Sequence, residues 1–141
     1  MTLTFKRFLG YWLPVILYCL LIFVQSSFPS PVASRGVPMA DKLLHLLGYA
    51  LLAALFFRAH ASIRPEAPLR RTWVSSVLFT SLYGAMDEFH QAFVPSRSAD
   101  AADLLADTAG AVIGAGLCCW LAPRWPGSLK KSRIDKSPKF L

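Results

Sequence analysis

The sequence predicts an all-α integral membrane protein, a four-helix bundle with both termini on the cytoplasmic side. Three observations carry that expectation. Apolar residues make up 55% of the 141-residue chain and charged residues only 16%, whereas a soluble domain carries about 25% charged residues. The apolar residues are gathered into four separate blocks. The basic residues are segregated by the loops between those blocks. With four crossings, the side that holds both termini and the loop from Arg58 to Arg71 collects twelve Lys and Arg residues against two acids, a net +10. The opposite side has three basic residues (Arg35, Lys42 and Arg97) against six acids, a net −3. The positive-inside rule then puts the first side in the cytoplasm, and the plasma (inner) membrane is the expected location. The overall formal charge of +7 is an orientation signal, so no nucleic-acid partner is expected although a basic chain usually raises one. A disordered protein is excluded by the hydrophobicity. An ordinary soluble enzyme is disfavoured by the shortage of charge.

The first block, Phe8 to Val24, is 17 residues without a charge, with Lys6 and Arg7 just ahead of it. A Pro/Ser-rich loop around Pro29, Pro31 and Pro38 follows and ends the helix. The next blocks, Leu43 to Phe57, Thr72 to Met86 and Thr108 to Ala122, have 15 uncharged residues each. A bilayer core needs roughly 20 helical residues, so each is too short alone. They reach 20 residues as Ala40 to Ala59, Thr72 to Gln91 and Asp103 to Ala122 only by taking in polar residues at one end. The alternative is that the short blocks are buried helices of a soluble bundle, but the charge segregation favours the membrane.

Residues 1–7 form a short cytoplasmic N-terminus, 8–122 the membrane domain, and 123–141 a basic, disordered cytoplasmic tail. A second reading of residues 1–33 is a signal peptide cleaved near Ala33, although its apolar run is long for one. Cys19, Cys118 and Cys119 lie within apolar spans without metal spacing and read as packing residues.

The acids concentrate where the short blocks need extending. Ionisable groups in membrane spans face the protein interior or a water-filled cavity. Asp41, His45 and Tyr49 follow at i, i+4 and i+8 on one helical face. Tyr83, Asp87 and Gln91 repeat that spacing on the next helix, with Glu88 and His90 alongside. Asp100, Asp103, Asp107 and Gly110 step by three, four and three on the last. Three stripes at the same depth predict one half-buried pocket at the outer leaflet, with Arg97 over its mouth to pair with a carboxylate or hold a phosphate. Blander roles exist for single members. Asp100 reads as the N-cap of the last helix, and Tyr49 and Tyr83 as interface aromatics. His45 or Lys42 suits Asp41 as a partner, and Glu88 faces away from Asp87 into solvent. Ala106, Gly110 and Gly114 recur every fourth position. This spacing permits close helix packing within the bundle or, alternatively, a homo-oligomer through Gly110 and Gly114.

These residues carry a resemblance. DKLLHLLGY (Asp41, Lys42, His45, Tyr49) and LYGAMDEFHQAFVPSRSADAADLLADTAGAVIG are similar to the VanZ-like family over about residues 8–122. The family has D-K-x-x-H…Y, D-E-x-x-Q, P-x-R and D-x-x-x-N-x-x-G elements. The matching positions here are Asp87, Glu88, Gln91, Pro95, Arg97, Asp103 and Gly110, with Asp107 standing where the family commonly has Asn. The resemblance implies a small multi-span envelope protein of bacterial type, associated with reduced sensitivity to the glycopeptide antibiotic teicoplanin.

Two functions follow as expectations. One is a non-enzymatic factor that binds a lipid or lipid-linked envelope ligand through Asp41, Lys42, His45, Tyr49, Tyr83, Asp87, Glu88, Gln91, Arg97, Asp103 and Asp107. The other is an enzyme acting on a lipid headgroup or lipid-linked saccharide, with Asp87 or Glu88 as base, His45 as proton shuttle and Arg97 as anion clamp. A divalent cation on Asp87, Asp103 and Asp107 is compatible with the second, but DEFHQ is no zinc motif, and no cofactor or metal is expected. Binding is preferred over catalysis.

Overall fold

A computed structural model describes residues 5–6, 8–29, 39–95, 97 and 99–122. The expected basic tail (123–141) and the region of the cleavage reading around Ala33 lie outside the described residues, as does most of residues 1–7. The described residues form four α-helices: α1 (Leu13–Ser26), α2 (Ala40–Ile63), α3 (Leu69–Gln91) and α4 (Ala101–Leu121). A wider π-helical turn, Phe8–Trp12, leads into α1. Pro14 sits at the start of α1, where it has no N–H for the carbonyl of Gly10 and its ring crowds that carbonyl. Each of the later helices takes in the polar residues that its apolar block needed to reach membrane length.

Among the described residues, three helices are long and apolar enough to cross a membrane: Phe8–Ser26, Ala40–Ile63 and Ala101–Leu121. Helix α3, at 23 residues, spans about 34 Å and falls short by composition, not length. Its inward face carries Thr72, Ser76, Thr80, Gly84, Asp87 and Gln91, all buried, while Leu78, Leu82, Met86 and Phe89 on the other face are exposed. Averaging over the helix dilutes an apolar outer face with a polar inner one. In water that arrangement would be inverted; against lipid it is the stable one, since the apolar face meets the hydrocarbon and the polar face packs inside the bundle. Ser76 Oγ donates to the carbonyl of Thr72 at 2.7 Å, and Thr72 Oγ1 lies 3.3 Å from His60 Nδ1.

The tightest helix pair is α2 with α4, which run parallel. Lys42 meets Asp103, His45 meets Asp107, and Cys118 lies by the carbonyl of Ala54. Gly110 and Gly114 fall between, and a Cβ at either would collide with the backbone of Leu46 or Ala50. The Gly110/Gly114 face is therefore packed against α2 within the chain. Ala53, Phe57, Ala111, Ala115, Cys118 and Ala122 continue this contact as a small-residue core. Helix α3 runs antiparallel to both, and α1 lies along α3 and α2. The stacked rings of Phe56 and Phe79 (centroids 4.2 Å apart) and the edge contact of Trp12 on Phe56 join those three helices. This up-and-down order brings the C-termini of α1 and α3 and the N-termini of α2 and α4 to one end.

Candidate functional site

That shared end holds the predicted polar residues, in two compartments joined by His45. The first is a clasp between the N-termini of α2 and α4. Lys42 Nζ lies 2.7 Å from Asp100 Oδ2 and 2.8 Å from Asp103 Oδ1. Asp100 also caps α4, accepting from the Ala102 N–H at 2.9 Å, which satisfies one of the free N–H groups of the first turn. Its own N–H donates to Glu88 Oε2 at 3.0 Å. The N-cap role read from the sequence is thus present, but Asp100 is also tied to two other helices. Lys42 is partnered here and not by Asp41.

The clasp has a pH signature. The Lys42 ammonium, and then the Ala102 N–H, hold the Asp100 carboxyl below its ordinary value of 3.8. A carboxyl with a depressed folded-state pKa contributes stability above its unfolded value and loses it as pH falls through the folded value. Lys42→Met is therefore expected to lower the unfolding midpoint at neutral pH, and the gap from the parent should shrink below about pH 4. Midpoints measured in detergent across pH 3 to 7 check this. A gap that does not change with pH would place the effect of Lys42 in packing.

The second compartment is a cavity of about 70 Å³ between α1, α2 and α3. Asp41, His45, Tyr49, Asp87, Gln91 and Arg97 line it, together with Tyr18, Gln25 and Ser26 from α1. Asp87 is buried and accepts from Ser26 Oγ at 2.6 Å and Gln91 Nε2 at 3.0 Å. The Gln91 bond is the i, i+4 step of the sequence stripe, whereas the Ser26 bond is invisible to periodicity. The sequence does not mark Ser26, because the first apolar block ends at Val24 and the serines behind it read as loop. In the structure α1 runs on to Ser26, and Ser27 Oγ lies 3.1 Å from His90 Nε2. Polar residues directly after an apolar span were the available signal.

Between the compartments, His45 Nδ1 lies 2.9 Å from Asp107 Oδ1 and 3.9 Å from Glu88 Oε1. The Tyr49 ring stacks on the His45 ring, with planes 5° apart. Gly84 makes this junction possible. A Cβ there would stand 2.8 Å from Asp107 Oδ2 and 3.2 Å from Tyr49 Cε1, so only glycine lets α3 approach both.

Four site expectations need correction. Glu88 does not face solvent, because it is 7% exposed and turned toward His45 and Asp100. The bend after Gln91 brings the Asp100 N–H over it, which i, i+1 reasoning about Asp87 could not foresee. Tyr83 does not line the cavity; its hydroxyl donates to the Cys19 carbonyl at 2.6 Å, beside the lining residue Tyr18 on α1. Arg97 sits at the pocket but binds no carboxylate among the described residues. Its Nε donates to the Phe28 carbonyl at 2.9 Å and its Nη2 approaches the Gln25 carbonyl at 3.4 Å, which also accepts from the Phe28 N–H, so the guanidinium sits on the carbonyl end of α1. The cation set Asp87, Asp103 and Asp107 is also not assembled, since Asp103 belongs to the Lys42 clasp and Asp87 to Ser26 and Gln91.

Comparison with known proteins agrees with the residues at this end. The profile of the VanZ/LLP1 family matches residues 11–122. A search of curated proteins and one of solved structures found no match. The matched region takes in all four helices and every site residue described above, and the chain belongs to the VanZ/LLP1 family.

Proposed function

We propose that this VanZ-family membrane protein is a non-enzymatic envelope factor of the plasma membrane, with both termini cytoplasmic. It takes the polar tip of a lipid or lipid-linked ligand into the pocket between α1, α2 and α3, at the outer leaflet, and modulates sensitivity to teicoplanin-type glycopeptides. The observation that supports this reading is the chemistry of the cavity and its rim. The lining is rich in acceptors (Asp41, Asp87 and the Gln91 carbonyl oxygen), while Leu44, Leu47, Leu21 and Val24 on the neighbouring helix surfaces are exposed and apolar. A ligand with an apolar anchor and a donor-bearing head complements both. A cavity of about 70 Å³ has room for an ammonium or hydroxyl-bearing end and a few waters, not for a whole headgroup. With Arg97 engaged on two carbonyls, the pocket favours donors over a bare phosphate.

A second reading rests on the close approach of His45 to Asp107. A histidine oriented by a buried carboxylate is the arrangement of a general acid–base catalyst, with Glu88 the carboxylate on its other side. In that case the protein modifies a lipid headgroup or lipid-linked saccharide.

Lipid mass spectrometry and teicoplanin sensitivity, measured together in deletion and overexpressing cells, separate the two. The binding reading expects overexpression to lower sensitivity, Asp87→Asn to abolish that effect at normal protein abundance, and the lipid profile to stay unchanged. A changed profile that reverts with His45→Gln would establish the enzyme instead. No change in either measurement would overturn both. For orientation, a reporter active only outside the cytoplasm should be inactive after Leu141 and active near Ser34.

A further inference from the structure

We propose that His45, Glu88 and Asp107 form a binding site for one divalent first-row cation of the Zn²⁺ or Mn²⁺ class, at the junction of α2, α3 and α4. This site goes beyond the lipid-binding reading and stands whether or not that reading holds.

The geometry comes first. One ligand atom from each of the three residues lies within 4.8 Å of the others. His45 Nδ1 is 2.9 Å from Asp107 Oδ1 and 3.9 Å from Glu88 Oε1. A cation held at about 2.0–2.2 Å by nitrogen and oxygen ligands needs donors roughly 3–3.5 Å apart. The two observed separations bracket that range, and side-chain rotation alone closes the difference.

Unpartnered oxygens are the second, independent observation. Glu88 Oε1 and Asp107 Oδ2 are buried and accept no hydrogen bond among the described residues. Asp107 is completely buried and Glu88 is 7% exposed. Buried carboxylate oxygens without a donor are costly in a protein and more so within a bundle in lipid. A cation between the three helices supplies what the chain does not.

Charge points the same way. Asp87, Glu88 and Asp107 are buried together, and Lys42 is committed to Asp100 and Asp103. Arg97 is committed to backbone carbonyls. Among the described residues this leaves His45 as the group that can offset Glu88 and Asp107, with one charge at most. A divalent cation with neutral His45 balances both.

The ligands are also held in place. The Asp100 N–H fixes the second oxygen of Glu88, and Tyr49 stacks on the His45 ring. Such supporting contacts orient metal ligands. One imidazole with two carboxylates suits Zn²⁺ or Mn²⁺ rather than Ca²⁺, which takes six to eight oxygens. A competing trio, Asp41, His45 and Asp103, also lies within reach. There, however, the Lys42 ammonium stands 2.8 Å from Asp103 and repels a second cation.

The test uses the full chain in detergent, stripped with chelator and titrated with ZnCl₂ or MnCl₂. Calorimetry and elemental analysis should give one equivalent, with a higher unfolding midpoint on loading. X-ray absorption of the zinc-loaded protein should show one imidazole ligand. Glu88→Gln and Asp107→Asn, isosteric and checked for folding by circular dichroism, should each weaken binding at least tenfold and lose the midpoint shift. Glu66→Gln, exposed on the connection between α2 and α3 at the other end of the bundle, should keep both. Less than 0.1 equivalent bound by the parent protein, or equal affinity in the parent and both isosteric variants, would overturn the site whatever the variants' stability.

Discussion

Gly114→Ala is expected to destabilise the bundle, although alanine is the better helix former by about 0.8–1 kcal/mol in a helix interior. The competing term is larger. A Cβ at Gly114 would overlap the backbone of Ala50, carbonyl and Cα together, and backbone cannot rotate aside as a side chain can. Forcing an extra carbon into a packed contact costs about 1–3 kcal/mol or more, and in this position the whole α2–α4 interface must part to make room. The sign of the change therefore measures which effect wins. Gly116 is the internal control: it lies in the same helix, and a Cβ there would meet only Trp73 Nε1 at 3.7 Å, an ordinary contact. Gly116→Ala should be neutral or stabilising by up to about 1 kcal/mol, while Gly114→Ala should lose stability in the same detergent unfolding assay. If both substitutions stabilise, α2 and α4 do not pack through Gly114.

The second large effect is at the buried pair. His45→Leu in metal-free buffer should cost about 3–5 kcal/mol, because it leaves the carboxylate of fully buried Asp107 without its donor. Replacing both partners removes the stranded charge as well as the bond. His45→Leu combined with Asp107→Leu should therefore recover most of the loss. A double variant as unstable as the two single losses added together would mean that the residues do not act as a pair. The experiment also bears on the family's Asn at this position: Asp107→Asn keeps an acceptor for His45 at nearly the same volume, and it should cost less than Asp107→Leu alone.

Much of this architecture was legible from residue order. The four apolar blocks became four helices because hydropathy is a local property, and the polar residues needed to lengthen three of them turned out helical. Their clustering at one end followed from alternating chain direction with short connections between α2 and α3 and between α3 and α4. The i, i+4 stripes identified Asp41, His45, Asp87 and Gln91 as pocket residues, since one helical face looks in one direction. The same reasoning put Tyr83 at the pocket. Its hydroxyl is taken up by the Cys19 carbonyl, and a stripe reports a direction but not the partner that a neighbouring helix offers.

The acids that the sequence singled out as a set are divided in the folded chain. Asp100 and Asp103 go to Lys42, Asp87 goes to Ser26 and Gln91, and Asp107 and Glu88 face His45. Arg97 shows the limit most plainly. A lone arginine among acids suggests an ion pair, yet its guanidinium closes the open carbonyl end of α1. The sequence by itself determined the helical class, the membrane character and the end at which polar residues collect. These depend on periodicity and composition along one chain. Partner choice within the cluster was decided only by tertiary structure. It depends on how far each helix is rotated and how closely it approaches, and both are set by Gly84, Gly110 and Gly114 against the backbones and side chains that face them.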